Sequence, residues 1–123
     1  MSIPNDYFFT QTHEWVKFTD KGTALIGISD HAQEEMGDVA FVNLPDIGES
    51  FSAGDTLCDI ESIKAVSDVY CPVSGNVVAV NDELADAPEK INKTPYDAWL
   101  VEIECAKDTA GLMDAAEYEA FLG

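Results

Sequence analysis

The strongest constraint on the fold is a pattern of short strands that occurs twice along the chain. Residues 37–43 (GDVAFVN) return as 75–81 (GNVVAVN), and residues 57–61 (LCDIE) return as 100–104 (LVEIE). Valine-rich strands can match by chance, but two matched blocks in the same order are harder to attribute to chance. The repeat predicts a mainly β fold, in which two pseudo-symmetric sheet halves pack around an approximate two-fold axis.

A hairpin is expected to join the two halves. Strand-forming residues over 56–60 and 66–71 flank the segment 62–65, which contains no Gly, Asn or Pro. A turn built from ordinary residues is therefore expected there. Lys64 lies at the tip and is the only basic residue between positions 21 and 90. Most exposed lysines are merely solvated, yet this one is the best functional candidate in the chain.

The N-terminal part of the chain predicts additional strands. The segments 7–10 (YFFT) and 13–18 (HEWVKF) form a candidate hairpin, and 23–28 (TALIGI) is the next strand. Between the second repeat blocks, residues 82–95 form a long and mostly polar loop. Three residues could anchor that loop, namely Leu84, Pro88 and Ile91.

Two helices are predicted. Ser29 and Asp30 offer caps for a short helix near residues 30–36, which is expected to end at Gly37. Asp30 with Gln33 resembles a capping box at its start. A second helix near 114–122 has a cap in Asp114 and Glu117. Its apolar stripe is expected to pack on the sheets through Tyr118, Phe121 and Leu122.

Composition excludes several classes of protein. With 123 residues, the chain is expected to form a single domain, residues 1–123. Acidic residues outnumber lysines 24 to 6, and the net charge of −18 would repel phosphate backbones, so no nucleic-acid partner is expected. No apolar run reaches the roughly 20 residues that span a bilayer. Residues 1–6 resemble neither a signal nor a transit peptide, so a cytoplasmic location is expected.

Motifs for catalysis are missing from the sequence. It contains no glycine-rich phosphate loop, Cys-x-x-Cys, Gly-x-Ser-x-Gly or His-Glu-x-x-His. Cys58, Cys71 and Cys105 are expected to be reduced and to be small core or strand residues. His13 and His31 are too few and too scattered along the chain to predict a metal site. One conspicuous lysine without a catalytic constellation points to a carrier whose chemistry comes from an attached cofactor, and not to an enzyme.

The chain resembles the glycine cleavage system H protein, a family of lipoyl carriers. The resemblance runs nearly end to end. Its most specific part is the block Glu61-Ser62-Ile63-Lys64-Ala65, because lipoyl domains of 2-oxoacid dehydrogenases usually carry Asp-Lys-Ala and biotin domains Met-Lys-Met. Other shared segments are 12–16 (THEWV), 27–33 (GISDHAQ), 37–42 (GDVAFV), 44–45 (LP), 72–75 (PVSG), 95–96 (PY) and 99–100 (WL).

The resemblance implies a lipoyl/biotinyl-type hybrid barrel-sandwich that presents Lys64 for covalent attachment of lipoate. It also implies four kinds of partner: a pyridoxal-phosphate-dependent glycine decarboxylase (P protein), an aminomethyltransferase (T protein), dihydrolipoamide dehydrogenase (L protein), and a lipoate ligase or lipoyl transferase. The modifying enzyme would recognise Glu61, Ser62 and Ala65.

The resemblance further implies a cleft that shelters the loaded lipoyl arm. Glu14 and Asp68 are the candidate carboxylates for its amine, with Thr12 as a hydrogen-bond partner, and the competing interpretation is that these are solvated surface groups. Two other functions stay open. One is a lipoate-relay, biotinyl or other lipoyl carrier module. The other is an acidic interaction protein whose lysine is never modified.

Overall fold

Two antiparallel sheets make up most of the fold in the computed structural model, which describes residues 3–123. The strands are β1 (Phe8–Phe9), β2 (Glu14–Phe18), β3 (Thr23–Ile28), β4 (Val39–Asn43), β5 (Ser50–Phe51), β6 (Thr56–Ser62), β7 (Val66–Tyr70), β8 (Gly75–Val80) and β9 (Val101–Glu104). The helices are α1 (Asp30–Met36), α2 (Glu83–Asp86), α3 (Lys90–Lys93) and α4 (Ala115–Leu122). The predicted mainly β fold is confirmed.

The two sheets differ in size. The larger sheet has the strand order β1-β2-β3-β9-β8-β5, and the smaller has the order β4-β6-β7. Alternating apolar residues from both sheets meet in one buried cluster, which includes Ile26, Ile60, Val69, Val77 and Ile103. The core therefore lies between the sheets, as the repeat predicted.

The repeat corresponds to two similar strand pairs. The strands β4 and β6 pair in the small sheet, and their counterparts β8 and β9 pair in the large one. Each pair contains a bulge, and the extra residue is Ala40 in β4 and Val78 in β8, which occupy the same position in the repeat. The registers of the two pairs differ by two residues, a shift that leaves the same side chains facing the core.

A smaller aromatic cluster packs beside the main core. Trp15 and Phe9 are fully buried in it, and the ring of Tyr118 stacks on that of Phe9 at 4.4 Å. The indole N–H of Trp15 donates to the carbonyl of Pro95 at 2.9 Å. A β-carbon at Gly27, which pairs with Trp15 across β2 and β3, would overlap the indole ring. This glycine therefore lets the two strands enclose the tryptophan.

The helix near residues 30–36 is confirmed, but its predicted capping box is wrong. Ser29 is the N-cap, since its hydroxyl accepts a hydrogen bond from the Ala32 N–H at 3.2 Å. Asp30 already belongs to the first turn and accepts a hydrogen bond from the amide of Gln33. Gly37 ends the helix at a φ of 80°, which favours glycine.

The C-terminal helix is confirmed with its capping box of Asp114 and Glu117. Its predicted apolar stripe is only partly correct. Tyr118 is fully buried, whereas Phe121 and Leu122 are 47% and 36% exposed, because the last turn extends past the aromatic cluster that covers Tyr118.

The long polar loop contains two helices that the sequence did not predict. α2 and α3 have four residues each, too short for a periodic pattern to appear. Leu84 and Ile91 anchor them and are fully buried, while Pro88 is half-buried. Within residues 3–123, no helix is long and apolar enough to cross a membrane.

Candidate functional site

Lys64 lies at the tip of the β6–β7 hairpin, as predicted, and the hydroxyl of Ser62 holds the turn. That oxygen accepts hydrogen bonds from the N–H groups of Lys64 and Ala65, both at 3.2 Å, and donates to the Ala65 carbonyl at 3.2 Å. The Ile63 N–H also donates to the carbonyl of Asp38, the residue before β4, at 3.0 Å. A serine at the first turn position is the signal that explains a tight turn without Gly, Asn or Pro.

The side chain of Lys64 extends over the end of α1. Its ammonium donates to the carbonyl of Glu35 at 3.3 Å, where a cation suits the negative end of the helix. Gly37 lies directly beneath, and a β-carbon there would come within 2.7 Å of the Lys64 Cε. Gly37 thus ends the helix and also makes room for the lysine, a second role that the sequence did not indicate.

A cleft of about 220 Å³ lies beside this lysine, between α1, β7 and the loop before β2. The three predicted docking residues Thr12, Glu14 and Asp68 all line it, so the fold brings them together. The other lining residues are His13, Ile28, Ala32, Glu35, Met36, Ser67 and Val69. Since Glu35 both lines the cleft and bonds Lys64, the lysine amine lies at the edge of the cleft.

Glu14 is the buried acid of this cleft, with only 2% of its surface exposed. One carboxylate oxygen accepts hydrogen bonds from the hydroxyls of Thr10 and Thr12, each at 2.5 Å, and the other accepts from the Tyr70 N–H at 3.3 Å. Burial raises the pKa of Glu14, and these hydrogen bonds oppose the rise in part. Glu14 is therefore not a solvated surface group, whereas Asp68 is exposed.

Glu61 lies on the outer face of the small sheet, away from the cleft. It accepts a hydrogen bond from the Asn43 amide at 3.0 Å. Phe41 and Val66 are its cross-strand partners on either side, and they are 64% and 60% exposed. An acidic side chain between two exposed apolar ones, one residue from the turn, is accessible to another protein.

The two histidines, which are far apart in the sequence, lie together in the fold. The rings of His13 and His31 are 4.4 Å apart, and His31 Nε2 is 2.6 Å from a carboxylate oxygen of Glu35. His13 Nδ1 is hydrogen-bonded to the hydroxyl of Tyr118 at 2.7 Å. Burial and the neighbouring His31 lower the pKa of His13. Sequence reasoning missed this cluster, because only the folded chain brings residue 13 to helix α1.

The three cysteines carry free thiols. Cys58 in β6 and Cys71 just after β7 are buried, and burial raises the pKa of Cys58 to about 12 and that of Cys71 to about 11. The Cys71 thiol donates to the carbonyl of Val73 at 3.0 Å. Cys105 is partly buried and its pKa is also raised by burial. The expectation of core or strand residues is confirmed for Cys58 and Cys71, which are buried, whereas Cys105 is partly buried and directly follows β9.

The pH dependence of stability should reveal the burial of Glu14. A raised folded-state pKa means that the folded chain binds the proton more tightly than the unfolded chain. The free energy of unfolding therefore falls as the pH rises from about 4.5, the ordinary pKa of a glutamate, through the folded-state pKa of Glu14. We expect Glu14→Gln to gain stability relative to wild type over this pH range, measured by urea unfolding at pH 4 to 7. Glu119→Gln, which removes an exposed charge on α4, controls for the change in net charge. If the free energy of unfolding changed with pH in the same way in wild type and in Glu14→Gln, the prediction would be wrong.

Comparison with known proteins gives a consistent result. The family model described as "Glycine cleavage H-protein" matches residues 7–123. The chain is 50% identical to a "Probable glycine cleavage system H protein" of Pyrococcus furiosus, over 98% of this chain and 92% of that protein. It is 48% identical to the "Glycine cleavage system H protein" of Lachnoclostridium phytofermentans, over 99% and 96%. The crystal structure of a glycine cleavage system H protein from Mycobacterium marinum superimposes with a TM-score of 0.86 at 37% identity, over 96% of this chain and 97% of that one.

Proposed function

Because the chain belongs to the glycine cleavage H-protein family, whose members carry lipoate and have no catalytic activity of their own, we propose that Lys64 is its lipoyl attachment site. The observation that supports this most strongly is the position of the lysine. Its amine is exposed on a hairpin turn and lies at the edge of a cleft. Residues 1–123 would then work as one lipoyl-carrier domain.

The turn gives the carrier a fixed base for a mobile arm. The hydroxyl of Ser62 and the carbonyl of Asp38 restrain the backbone on both sides of Lys64. Only the lysine side chain and whatever is attached to it can move freely, which keeps the end of the arm at a high local concentration near any docked partner. Amide formation would also remove the ammonium charge, so its charge-assisted contact with the Glu35 carbonyl would weaken.

The cleft has the chemistry to receive such an arm. Ile28, Ala32, Met36 and Val69 offer apolar walls for a hydrocarbon chain, and Glu14 lies among them. When attached, lipoate would supply the disulfide that accepts an aminomethyl group from the glycine decarboxylase, and dihydrolipoamide dehydrogenase would reoxidise the dithiol that is left after the aminomethyltransferase takes that group.

Glu14 would hold the amine of the loaded arm. Thr10, Thr12 and the Tyr70 N–H fix its carboxylate before any ligand arrives. An ammonium nearby would favour the ionised acid and so offset the burial that raises its pKa. Asp68 is exposed at the rim of the cleft and adds a second negative charge. The pair would shield a partly desolvated ammonium from water.

We assign recognition by the lipoate ligase or lipoyl transferase chiefly to Glu61. Its carboxylate is accessible and makes one exposed hydrogen bond with Asn43. Ser62 has a different role, since its hydroxyl forms the turn that the enzyme would read. Ala65 closes that turn through its own N–H and carbonyl.

Lys64 should be the only lysine that accepts lipoate. Incubation with a lipoate ligase, lipoate and ATP, followed by digestion and mass spectrometry, should give the adduct on Lys64 and leave Lys90 and the other lysines free. Lys64→Arg should keep the thermal midpoint and take up no lipoate, because a guanidinium does not form this amide. An adduct on any other lysine with Lys64 unmodified would overturn the assignment. Native material without an adduct would favour an interaction protein with an unmodified lysine.

Glu61→Gln should slow lipoylation without lowering the thermal midpoint, because a partly exposed side chain with one exposed hydrogen bond contributes little to stability. Initial rates at low protein concentration measure the effect. Glu104 is the matched control, since it occupies the equivalent position in the second repeat and its side chain is exposed. Glu104→Gln should be lipoylated at the wild-type rate. Equal rates for both variants would assign the recognition to other residues.

Loss of a docking carboxylate should expose the loaded arm. A hydrogen bond to a charged group contributes about 1.5–3 kcal/mol, so Glu14→Gln should release ammonia and formaldehyde about tenfold to a hundredfold faster than wild type. Asp68→Asn should act in the same direction but less strongly, because Asp68 is exposed. Release is measured at neutral pH without the aminomethyltransferase. Glu34→Gln, an exposed residue of α1 that does not line the cleft, is the control. The same rate in all four proteins would mean that no protective docking exists.

A further inference from the structure

Three side chains to which the proposed function assigns no role converge at one end of the cleft, and two of them line it. They are His13, His31 and Glu35, and each offers one ligand atom within 4.8 Å of the other two. Both histidines are partly buried and Glu35 is exposed. We propose that these residues form a binding site for a divalent transition metal ion, with Zn²⁺ as the ion that fits best.

Helix α1 supplies two of the ligands in a chelating arrangement. His31 and Glu35 are four residues apart and lie on the same face of the helix, with His31 Nε2 2.6 Å from a Glu35 oxygen. In a tetrahedral zinc site with bonds of about 2.0–2.1 Å, neighbouring ligand atoms are about 3.3 Å apart. Opening this pair by less than about 1 Å therefore admits the ion, and both side chains are exposed enough to move.

His13 supplies the third ligand and is held from behind. Its Nδ1 is bonded to the Tyr118 hydroxyl at 2.7 Å, and that hydroxyl lies 2.8 Å from the Ser29 hydroxyl. Tyr118 and Ser29 are both fully buried. Nε2 of His13 is thus the nitrogen that can bind a metal. The hydrogen bond to Tyr118 fixes the orientation of the imidazole ring, as a similar bond does in most histidine ligands of metals.

The backbone of His13 adds to this fixed position. Its φ of 74° makes it the only non-glycine residue with positive φ among residues 3–123. The conformation is maintained by hydrogen bonds on both sides, from His13 N–H to the Thr10 carbonyl at 3.1 Å and from Ser29 N–H to the His13 carbonyl at 2.9 Å. The imidazole is consequently directed toward α1 before a metal binds.

The donor set selects the class of metal. Two imidazole nitrogens and one carboxylate suit Zn²⁺, Co²⁺, Ni²⁺ and Cu²⁺, whereas Mg²⁺ and Ca²⁺ prefer sites made of oxygen ligands alone. Three protein ligands leave at least one coordination position for water or another ligand. Neither Lys64 nor a thiol belongs to the site, so it does not depend on the proposed lipoylation.

Zinc binding is tested on the full unmodified chain without an affinity tag. Excess Mg²⁺ suppresses weak binding to the many surface carboxylates, and a chromophoric chelator competes for Zn²⁺. We expect one equivalent to bind. His13→Asn, His31→Gln and Glu35→Gln should each weaken binding at least tenfold, while the matched control Glu34→Gln, which removes the same charge from the same helix, should bind as wild type does. Asparagine tolerates positive φ, so His13→Asn keeps its backbone conformation.

Co²⁺ gives an independent readout of the ligands. The wild-type complex should have the visible d–d bands of a site with nitrogen and oxygen ligands, without the near-ultraviolet charge-transfer band that a thiolate from Cys58, Cys71 or Cys105 would produce. Lys64→Arg should bind both ions unchanged, which separates this test from that of lipoylation. Equal zinc affinity in wild type and His31→Gln, no binding in the presence of Mg²⁺, or a thiolate band would each overturn the proposal, and the His31–Glu35 contact would then be only a pair within the helix.

Discussion

One buried carboxylate joins the two sheets at the candidate site. Glu14 belongs to β2 of the large sheet, and its side chain accepts the N–H of Tyr70 at the end of β7 in the small sheet. An acid with 2% exposure is costly unless it is hydrogen-bonded, and two threonine hydroxyls complete its bonding. The contact positions the hairpin that carries Lys64 relative to the cleft. Loss of this acceptor would therefore disturb both the shape and the charge of the site.

The sequence predicts the architecture because the fold contains a repeated pair of strands, and the repeat is visible in the amino-acid sequence itself. Alternating apolar positions define each strand, and the matched blocks of residues 37–43 and 75–81 indicate which strands are related. The block around Lys64 locates the candidate hairpin from sequence as well, since its residues are contiguous. The alternation of apolar residues does not show where a strand contains an extra residue, however. The bulges at Ala40 and Val78 are therefore visible only in the strand pairing of the structure.

Features that depend on tertiary contacts escape sequence reasoning. The helices α2 and α3 are single turns stabilised by the burial of Leu84 and Ile91, and not by any local preference. His13 and His31 meet only because β3 runs antiparallel to β2 and so brings the start of α1 next to the residue before β2. Family resemblance predicts Glu14 and Asp68 as cleft residues. Only the structure shows that Glu14 is buried and Asp68 exposed.

The burial of Cys58 and Cys71 has a consequence for a protein that would carry a dithiol. An accessible thiolate on the carrier could attack the disulfide of its own cofactor and trap it as a mixed disulfide. At pH 7 a thiol with a pKa of about 11 is ionised to only about one part in ten thousand, and Cys58, at about 12, still less. Cys58 lies in β6 and Cys71 directly follows β7, the two strands that support Lys64, yet their buried thiols do not react with a disulfide. Burial would thus keep Cys58 and Cys71 from exchanging with the disulfide of an attached lipoyl group.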